Sequence, residues 1–356
     1  MTERIPCAIL GASGYIGQHF ARLLANHPWF EVVALTATER SGGKRLEDVW
    51  QLTEEPPPEL AGQRMSVATP ASVRRSGARI AFSAIPSGKA GTIESALARG
   101  GVAVFSNASD HRMDRAVPLL IPEVNPAHLA VLRRRPRAEA PLVTNPNCSA
   151  TGLALALAPV LGLLRPTRVH VATYQALSGA GFPGVPSLTI LDNLVPYIPT
   201  EEEKLGAETQ RLLGPYRNGR VRSLTTPILA QCVRVGVRDG HLEAVTIEAR
   251  KEPSQSAIER AWRNFAPLRG RGLPTAPDNP LVLRAEADRP QPARDRWAGT
   301  PERARGMAVV IGRPRWRPPF LRFFLLSHNA VRGGAGGSVL NAEFAAAEGY
   351  LPGEVR

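Results

Sequence analysis

The run GASGYIG, positions 11–17, constrains this chain more than any other stretch. It follows a short apolar run, Ile5 to Leu10, and precedes apolar residues Ile16, Phe20, Leu23 and Leu24 at helical spacing. A second β-rich run, FEVVALTA, comes next. Strand, glycine turn, helix and strand make a βαβ unit, whose crossover puts the turn at the carboxyl end of a parallel sheet. There the backbone amides and the helix N-terminus can hold a pyrophosphate, because Gly11, Gly14 and Gly17 put no side chain in its way. Ser13, Tyr15 and Ile16 lie in the same turn and are read with it as cofactor-binding.

The pattern continues. RIAFSAIPSGKA supplies another strand and turn, a helix spans Gly91 to Arg99, and GVAVFSNAS supplies a further strand, so the first part reads as a doubly wound, Rossmann-like parallel sheet. Where the second strand ends, TATERSGGK offers Thr38, Arg40, Ser41 and Lys44. That set suits a 2′-phosphate and so NADP over NAD, with Glu39 the one residue pointing the other way. At LVTNPNCSATGLALALAPVLGLL a strand ends in a Pro-Asn turn and an apolar helix starts at Cys148. Beyond Val169 the chain is strand-rich (VHVATYQAL, AVTIEARKE, MAVVIGRPRW, FLRFFLLS) around a helical EEEKLGAETQRLLG, which predicts an α+β domain on a mostly antiparallel sheet. The segment GGAGGSVLNAEFAAAEGYL reads as a glycine loop and a helix that packs back on the first domain, and the Arg- and Pro-rich stretch from Asp288 to Arg305 as an exposed loop.

A net charge of +13 raises nucleic acid as a partner. Only Lys44, Lys89, Lys204 and Lys251 are lysines, so the excess is arginine spread along the chain. The densest cluster, LRRRPR at 132–137, has no interleaved aromatics to stack on bases, and nucleic-acid binding is not expected. A positive field also suits a polyanionic small substrate or an acidic carrier protein. No run approaches the roughly 18 apolar residues of a membrane span, and the start lacks a signal-peptide layout, so a cytoplasmic location is expected. Cys7, Cys148 and Cys232 are too scattered for a disulfide framework or a metal site, and no metal is expected.

Among the three thiols Cys148 stands apart, because the first turn of a helix stabilises a thiolate. A nucleophilic thiol needs an acid/base partner, and His241 in CVRVGVRDGHLEAVTI is the best placed of seven histidines. Arg234, in the same strand-turn region, can bind a carboxylate bidentately.

These residues resemble the aspartate-semialdehyde dehydrogenase family, in the branch found in archaea and fungi. The resemblance runs nearly end to end through GASGYIGQ, ERSGGK, FSAIPSG, VFSNASDHRMD, LLIPEVN, TNPNCSATG, YQALSGAGFPGVPSLTILDN, EEEK, DGHLEAV and SHNAVRGGAGGSVLNAE. It implies a glyceraldehyde-3-phosphate dehydrogenase-like architecture, with residues 1–147 plus 333–356 binding NADP and 148–332 forming the catalytic and dimerisation domain. By resemblance Cys148 is the nucleophile, His241 the general acid/base and Gln175 the residue that orients the acyl intermediate. Arg234 then binds the substrate carboxylate, Glu201 its amino group, Lys204 and Arg112 its phosphate, while Asn147 flanks the site. Ser83, Ser178, Gly179 and Asn341 join the cofactor set. The chain departs from the family pattern at Ala150, Gly236, Gly334 and the segment WAGTPERARG, none of which removes a catalytic group.

The implied reaction starts with attack of the Cys148 thiolate on an acyl phosphate. Backbone amides at the helix start hold the oxyanion and inorganic phosphate leaves. Hydride transfer from NADPH to the thioester and protonation by His241 then give the aldehyde. L-aspartyl-4-phosphate is the expected substrate and L-aspartate 4-semialdehyde the product, within amino-acid biosynthesis, by a homodimer or homotetramer. Three alternatives stand beside it: a malonyl-CoA reductase-like enzyme, a paralogue acting on another amino-acid semialdehyde, and a non-catalytic protein on the same fold.

Overall fold

The structure, a computed structural model, describes residues 3–136 and 138–351. Arg137 of the basic cluster and residues 352–356 at the end of the first expected domain lie outside the described residues. Contacts divide the chain into two compact units, one of Met1–Pro122, Ala127–Pro146 and Gly334–Arg356, the other of Glu123–Pro126 and Asn147–Gly333.

The first unit holds β1 (Ile5–Leu10), α1 (Tyr15–Leu24), β2 (Phe30–Ala37), β3 (Ser66–Val67), β4 (Ile80–Ser83), α2 (Ala90–Arg99), β5 (Ala103–Ser106) and β6 (Leu142–Thr144). Its strands lie in the order β3-β2-β1-β4-β5-β6, all parallel. The order reverses direction at β1, which pairs with β2 on one side and β4 on the other, so the glycine turn sits at the topological switch point. Four phenylalanines give the core its continuity: Phe20 of α1 packs on Phe82, and Phe82 in turn meets Phe30 and Phe105, at centroid separations of 5.4, 5.6 and 6.0 Å. The C-terminal helix, Gly336–Ala347, packs on α1 and β5, and a buried Glu343 carboxylate meets His27 at 3.0 Å.

The second unit holds α3 (Cys148–Leu157), β7 (Pro166–Gln175), α4 (Glu201–Leu212), β8 (Tyr216–Arg217), β9 (Arg220–Val221), β10 (Ile228–Arg234), β11 (His241–Ala249), α5 (Gln255–Arg263), β12 (Leu281–Arg284), β13 (Val309–Arg317) and β14 (Phe320–Ser327). Its sheet runs β10-β7-β11-β14-β13-β12; the three inner ladders are antiparallel and both outer pairs parallel. Strict alternation along β11 puts His241, Glu243, Val245, Ile247 and Ala249 on one buried face, against which α3 packs. The opposite face leaves Tyr174, Leu229 and Phe320 exposed.

The stretch from Asp288 to Arg305 is not the exposed loop its composition suggests. Arg289 and Asp295 are buried and paired through both guanidinium and carboxylate arms. Ala304 is fully buried, and the Trp297 ring packs on His328 at 4.4 Å. The ion pair and the indole hold the segment down although most of its residues are polar. Among the described residues no helix is long and apolar enough to cross a membrane.

Candidate active site

Sheet register builds the site. Because β10 runs parallel to β7, their last residues, Arg234 and Gln175, are Cα partners; because β11 runs antiparallel to β7, its first residue, His241, arrives beside them. The bridge Val195–Arg234 fastens the outer edge. Onto this corner α3 brings Cys148, whose Sγ lies 3.2 Å from His241 Nε2. The thiol is half-buried and the imidazole wholly so.

Asn147 is the N-cap of α3. Its Oδ1 accepts from the amides of Ser149 and Ala150 at 2.9 and 3.1 Å, and its Nδ2 donates to Glu201 Oε1 at 2.9 Å. Its own amide donates to Glu208 at 2.6 Å. The cap occupies the amides of Ser149 and Ala150, the N2 and N3 positions, and leaves Cys148 at N1.

Gln175, 1% exposed, donates from Nε2 to Ser149 Oγ at 2.9 Å and to Glu201 Oε1 at 3.0 Å. Glu201, at the start of α4, thus accepts two neutral amides on one oxygen, and it is buried apart from a small exposed fraction. Lys204 follows one turn later, half-buried. Arg234 Nη1 donates to the Ala176 carbonyl at 2.7 Å, and burial pulls the guanidinium below its ordinary value. Gly179 closes over this pair: a Cβ there would lie 2.7 Å from Arg234 Nη1 and 3.3 Å from His241 Cε1. Burial, then the charges of Arg234 and His328, push His241 down to about 3, so the ring is neutral at physiological pH.

Several residues that shape the site carried no expectation. Asn329 accepts from the Gly240 amide at 2.9 Å and donates to Ser178 Oγ at 2.8 Å, tying together the loops before His241 and Gly179. Gly333 presses on Cys148, since a Cβ there would lie 2.7 Å from its Cα. The neighbouring Arg332 is locked by a buried bidentate pair with Glu123, at 2.7 and 2.8 Å. Both Asn329 and Arg332 lie in SHNAVRGGAGG, a motif whose length was the only signal. The other thiols are inert: Cys7 is buried and raised by burial, and Cys232 is pushed up to about 12 for the same reason.

The remaining expected residues lie in the first unit. Gly11 has φ +79, and a Cβ on it would meet the Ala84 carbonyl oxygen at 2.8 Å; on Gly17 it would meet the Gly11 oxygen at 2.0 Å. No side chain caps α1 and no acidic residue stands in its first turn, so the N-terminus beside Ser13, Gly14, Tyr15 and Ile16 suits an anion. Thr38, Arg40 and Lys44 are exposed and Ser41 half-buried on the turn after β2. Ser83 ends β4, fully buried. Asn341 is buried and donates to the Leu120 carbonyl at 3.2 Å, and Arg112 donates to the Asn107 carbonyl at 2.6 Å. Among the described residues no cluster of acidic, histidine or cysteine side chains could share a metal ion.

A thiol against a neutral imidazole, in a chain that also carries a dinucleotide turn, is the combination of a dehydrogenase working on a carbonyl carbon. The model described as semialdehyde dehydrogenase, NAD binding domain, matches residues 6–132, and that described as semialdehyde dehydrogenase, dimerisation domain, matches residues 157–332. Aspartate-semialdehyde dehydrogenase of Archaeoglobus fulgidus is 43% identical over 96% of this chain and 97% of its own length. Malonyl CoA reductase (NADP) of Metallosphaera sedula is 35% identical over 99% of both. The crystal structure of aspartate semialdehyde dehydrogenase with NADP from Candida albicans superposes with a TM-score of 0.86 at 32% identity, covering 98% of this chain and 100% of that one. The chain belongs to the aspartate-semialdehyde dehydrogenase family and is an oxidoreductase.

Proposed function

We propose that this enzyme reduces L-aspartyl-4-phosphate to L-aspartate 4-semialdehyde, with NADPH, through a thioester on Cys148. The observation that carries the reading is the 3.2 Å approach of Cys148 Sγ to His241 Nε2 beside Arg234 and Glu201. One cation and one carboxylate at the same corner match a substrate that bears both a carboxylate and an ammonium group. Lys204 and Arg112 are proposed for the phosphate. Ser178, Gly179, Ser83 and Asn341, with the glycine turn and the Thr38–Lys44 turn, are proposed to hold the cofactor. NADPH, when bound, supplies a hydride to the acyl carbon. Cys148 attacks that carbon, phosphate leaves with the C–O electron pair, and the sulfur is released again once the carbon is reduced.

The test is phosphate-dependent reduction of NADP with aspartate semialdehyde; activity no greater than that of Cys148→Ala would sink the proposal. The likeness to a malonyl CoA reductase supports one rival, the same chemistry on an acyl-CoA. Glu201 weighs against it, since a malonyl group has no ammonium to pair. Turnover of malonyl-CoA above that of aspartyl phosphate would select the rival. The match to a dimerisation domain supports self-association. We propose a homodimer or homotetramer formed through the outer sheet face of Tyr174, Leu229 and Phe320, which sedimentation would distinguish.

A further inference from the structure

We propose that Glu208 is a positioning residue for Cys148: it completes the cap of α3 from a neighbouring helix, and through Asn147 it sets where the thiol stands at the substrate corner. The inference rests on the function proposed above and adds a carboxylate that acts only through Asn147.

The start of α3 lacks one acceptor of its own. In a capping box the N-cap side chain accepts from the N3 amide, and the N3 side chain reaches back to accept from the N-cap amide. The helix Pro70–Arg75 shows the full device in this chain: Ser72 N–H donates to Thr69 Oγ1 at 3.1 Å, and Thr69 N–H donates to Ser72 Oγ at 3.2 Å. In α3 only the first half comes from the helix itself. Asn147 Oδ1 accepts from Ser149 and Ala150, but the N3 residue is Ala150, whose methyl accepts nothing. The amide of Asn147, a residue only 6% exposed, would then be a buried donor without an acceptor. Glu208 supplies the acceptor, with Oε2 at 2.6 Å, from a side chain that is itself 2% exposed.

This bond joins the cap to the site. Glu201 and Glu208 stand seven positions apart on α4, about two turns, so they share the face that α4 lays against α3. Both carboxylates end on Asn147: Glu201 Oε1 accepts from its Nδ2 at 2.9 Å, and Glu208 Oε2 from its backbone N–H. Its carbonyl accepts from Thr151 N–H and Oγ1, both at 2.9 Å, so backbone and side chain of Asn147 are fastened together. Cys148 is the next residue, and on its other side Gly333 stands so close that a Cβ there would lie 2.7 Å from Cys148 Cα. The backbone of the thiol is therefore held between α4 and Gly333.

Loss of the Glu208 bond strikes the two partners of Asn147 unequally. Glu201 has a second anchor in Gln175 Nε2 at 3.0 Å, so the carboxylate proposed for the ammonium stays in place. Cys148 is joined to Asn147 by a peptide bond and moves with it. An attacking atom misplaced by about 1 Å loses on the order of 10²-fold in rate, so the loss falls on kcat and spares KM.

Kinetics of phosphate-dependent aspartate semialdehyde oxidation, with amide hydrogen exchange of a peptide spanning residues 146–150, test this. Glu208→Leu is similar in size and removes the acceptor. Its kcat is expected to fall about 10- to 100-fold with KM within about threefold, and exchange in the first turn to speed by about tenfold or more. Glu208→Gln, whose amide oxygen still accepts, is expected to keep kcat within about threefold of the wild type. Ala150→Ser added to Glu208→Leu rebuilds the second half of the capping box, and is expected to return kcat to within about threefold and exchange to the wild-type rate. The inference is overturned by a Glu208→Leu enzyme with wild-type kcat, by a loss confined to KM, by a Glu208→Gln enzyme as impaired as Glu208→Leu, or by a double variant whose kcat stays low. If Glu208→Leu does not fold, the double variant decides, and its failure to fold or to turn over overturns the inference. A wild type inactive on aspartate semialdehyde sinks the proposed function instead, and exchange in the same variants still decides whether Glu208 completes the cap.

Discussion

The glycine turn and the thiol corner are both candidate sites, but they are built in opposite ways. The turn is contiguous and made of backbone: Gly11 and Gly17 are fixed by carbonyl oxygens at 2.8 and 2.0 Å from where a Cβ would stand. The corner is made of side chains from α3, β7, α4, β10 and β11, with Cys148 and His241 separated by 93 positions. A backbone site tolerates almost any neighbouring side chain and no Cβ at its key positions. A side-chain site tolerates backbone variation as long as sheet register returns the same atoms to the same place. Substitutions therefore fail differently in the two regions, by misfolding in one and by lost chemistry in the other.

The largest contrast is between Cys148→Ala and Gly17→Ala. The first removes the proposed nucleophile from a half-buried position and is expected to lower kcat by about 10³-fold or more with little change in melting temperature. The second forces a Cβ onto the Gly11 carbonyl, which cannot swing aside, and is expected to cost about 3 kcal/mol of stability or to prevent folding. Gly14→Ala is the control within the turn. Its Cβ would meet the Gly11 oxygen only at 3.4 Å, so the protein should fold and show weaker NADPH binding by fluorescence titration. A Gly17→Ala enzyme that melts like the wild type would break the distinction drawn above.

A smaller effect separates binding from chemistry inside the corner. Glu201→Gln keeps an oxygen for Asn147 and Gln175 and removes only the charge. The KM for aspartate semialdehyde should rise about 10- to 100-fold while kcat changes little, and an aldehyde lacking the amine should show no such rise. Equal losses for both aldehydes would place Glu201 in the scaffold rather than at the ammonium.

How much of this was legible in the sequence follows the same division. The turn could be read directly, because Gly11, Gly14 and Gly17 sit between a strand and a helix and the constraint is local. Cys148 was legible from its helix start, and His241, Arg234 and Glu201 through long motifs shared with a family. The donor to Nδ1 of His241 was not, since it is the amide of Ala176 and any residue but proline supplies one. Nor was the binding of the Ser149 and Ala150 amides by Asn147, although Asn before a helix is a common cap. Glu123 and Arg332, 209 positions apart, meet only once the fold is made. The stretch from Asp288 to Arg305 misled because its composition is that of a loop, while one buried ion pair and one indole fix it.

The finest test concerns two buried titratable groups on the same face of β11, two positions apart. Glu243 is fully buried and neither of its carboxyl oxygens makes a hydrogen bond among the described residues. Burial, and then the charge of Glu201, hold its carboxyl well above the usual range. The folded state thus keeps a proton that the unfolded chain releases above about pH 4.5, so stability falls as pH rises from there. His241 has the opposite sign. Its folded value near 3 lies below the unfolded 6.5, so the folded state refuses a proton and stability falls as pH drops through that window. Glu243→Met removes the first slope and leaves the second. The variant should match the wild type near pH 5 and melt a few degrees higher by pH 8, since each ~1.4 kcal/mol is one pH unit of linkage and shifts a chain this size by roughly 2 °C. If the two melting curves stay parallel across that range, Glu243 titrates normally and the face beneath the thiol corner is wetter than its burial implies. If Glu243→Met also loses activity at constant stability, the carboxyl acts on Glu201 and belongs with the corner.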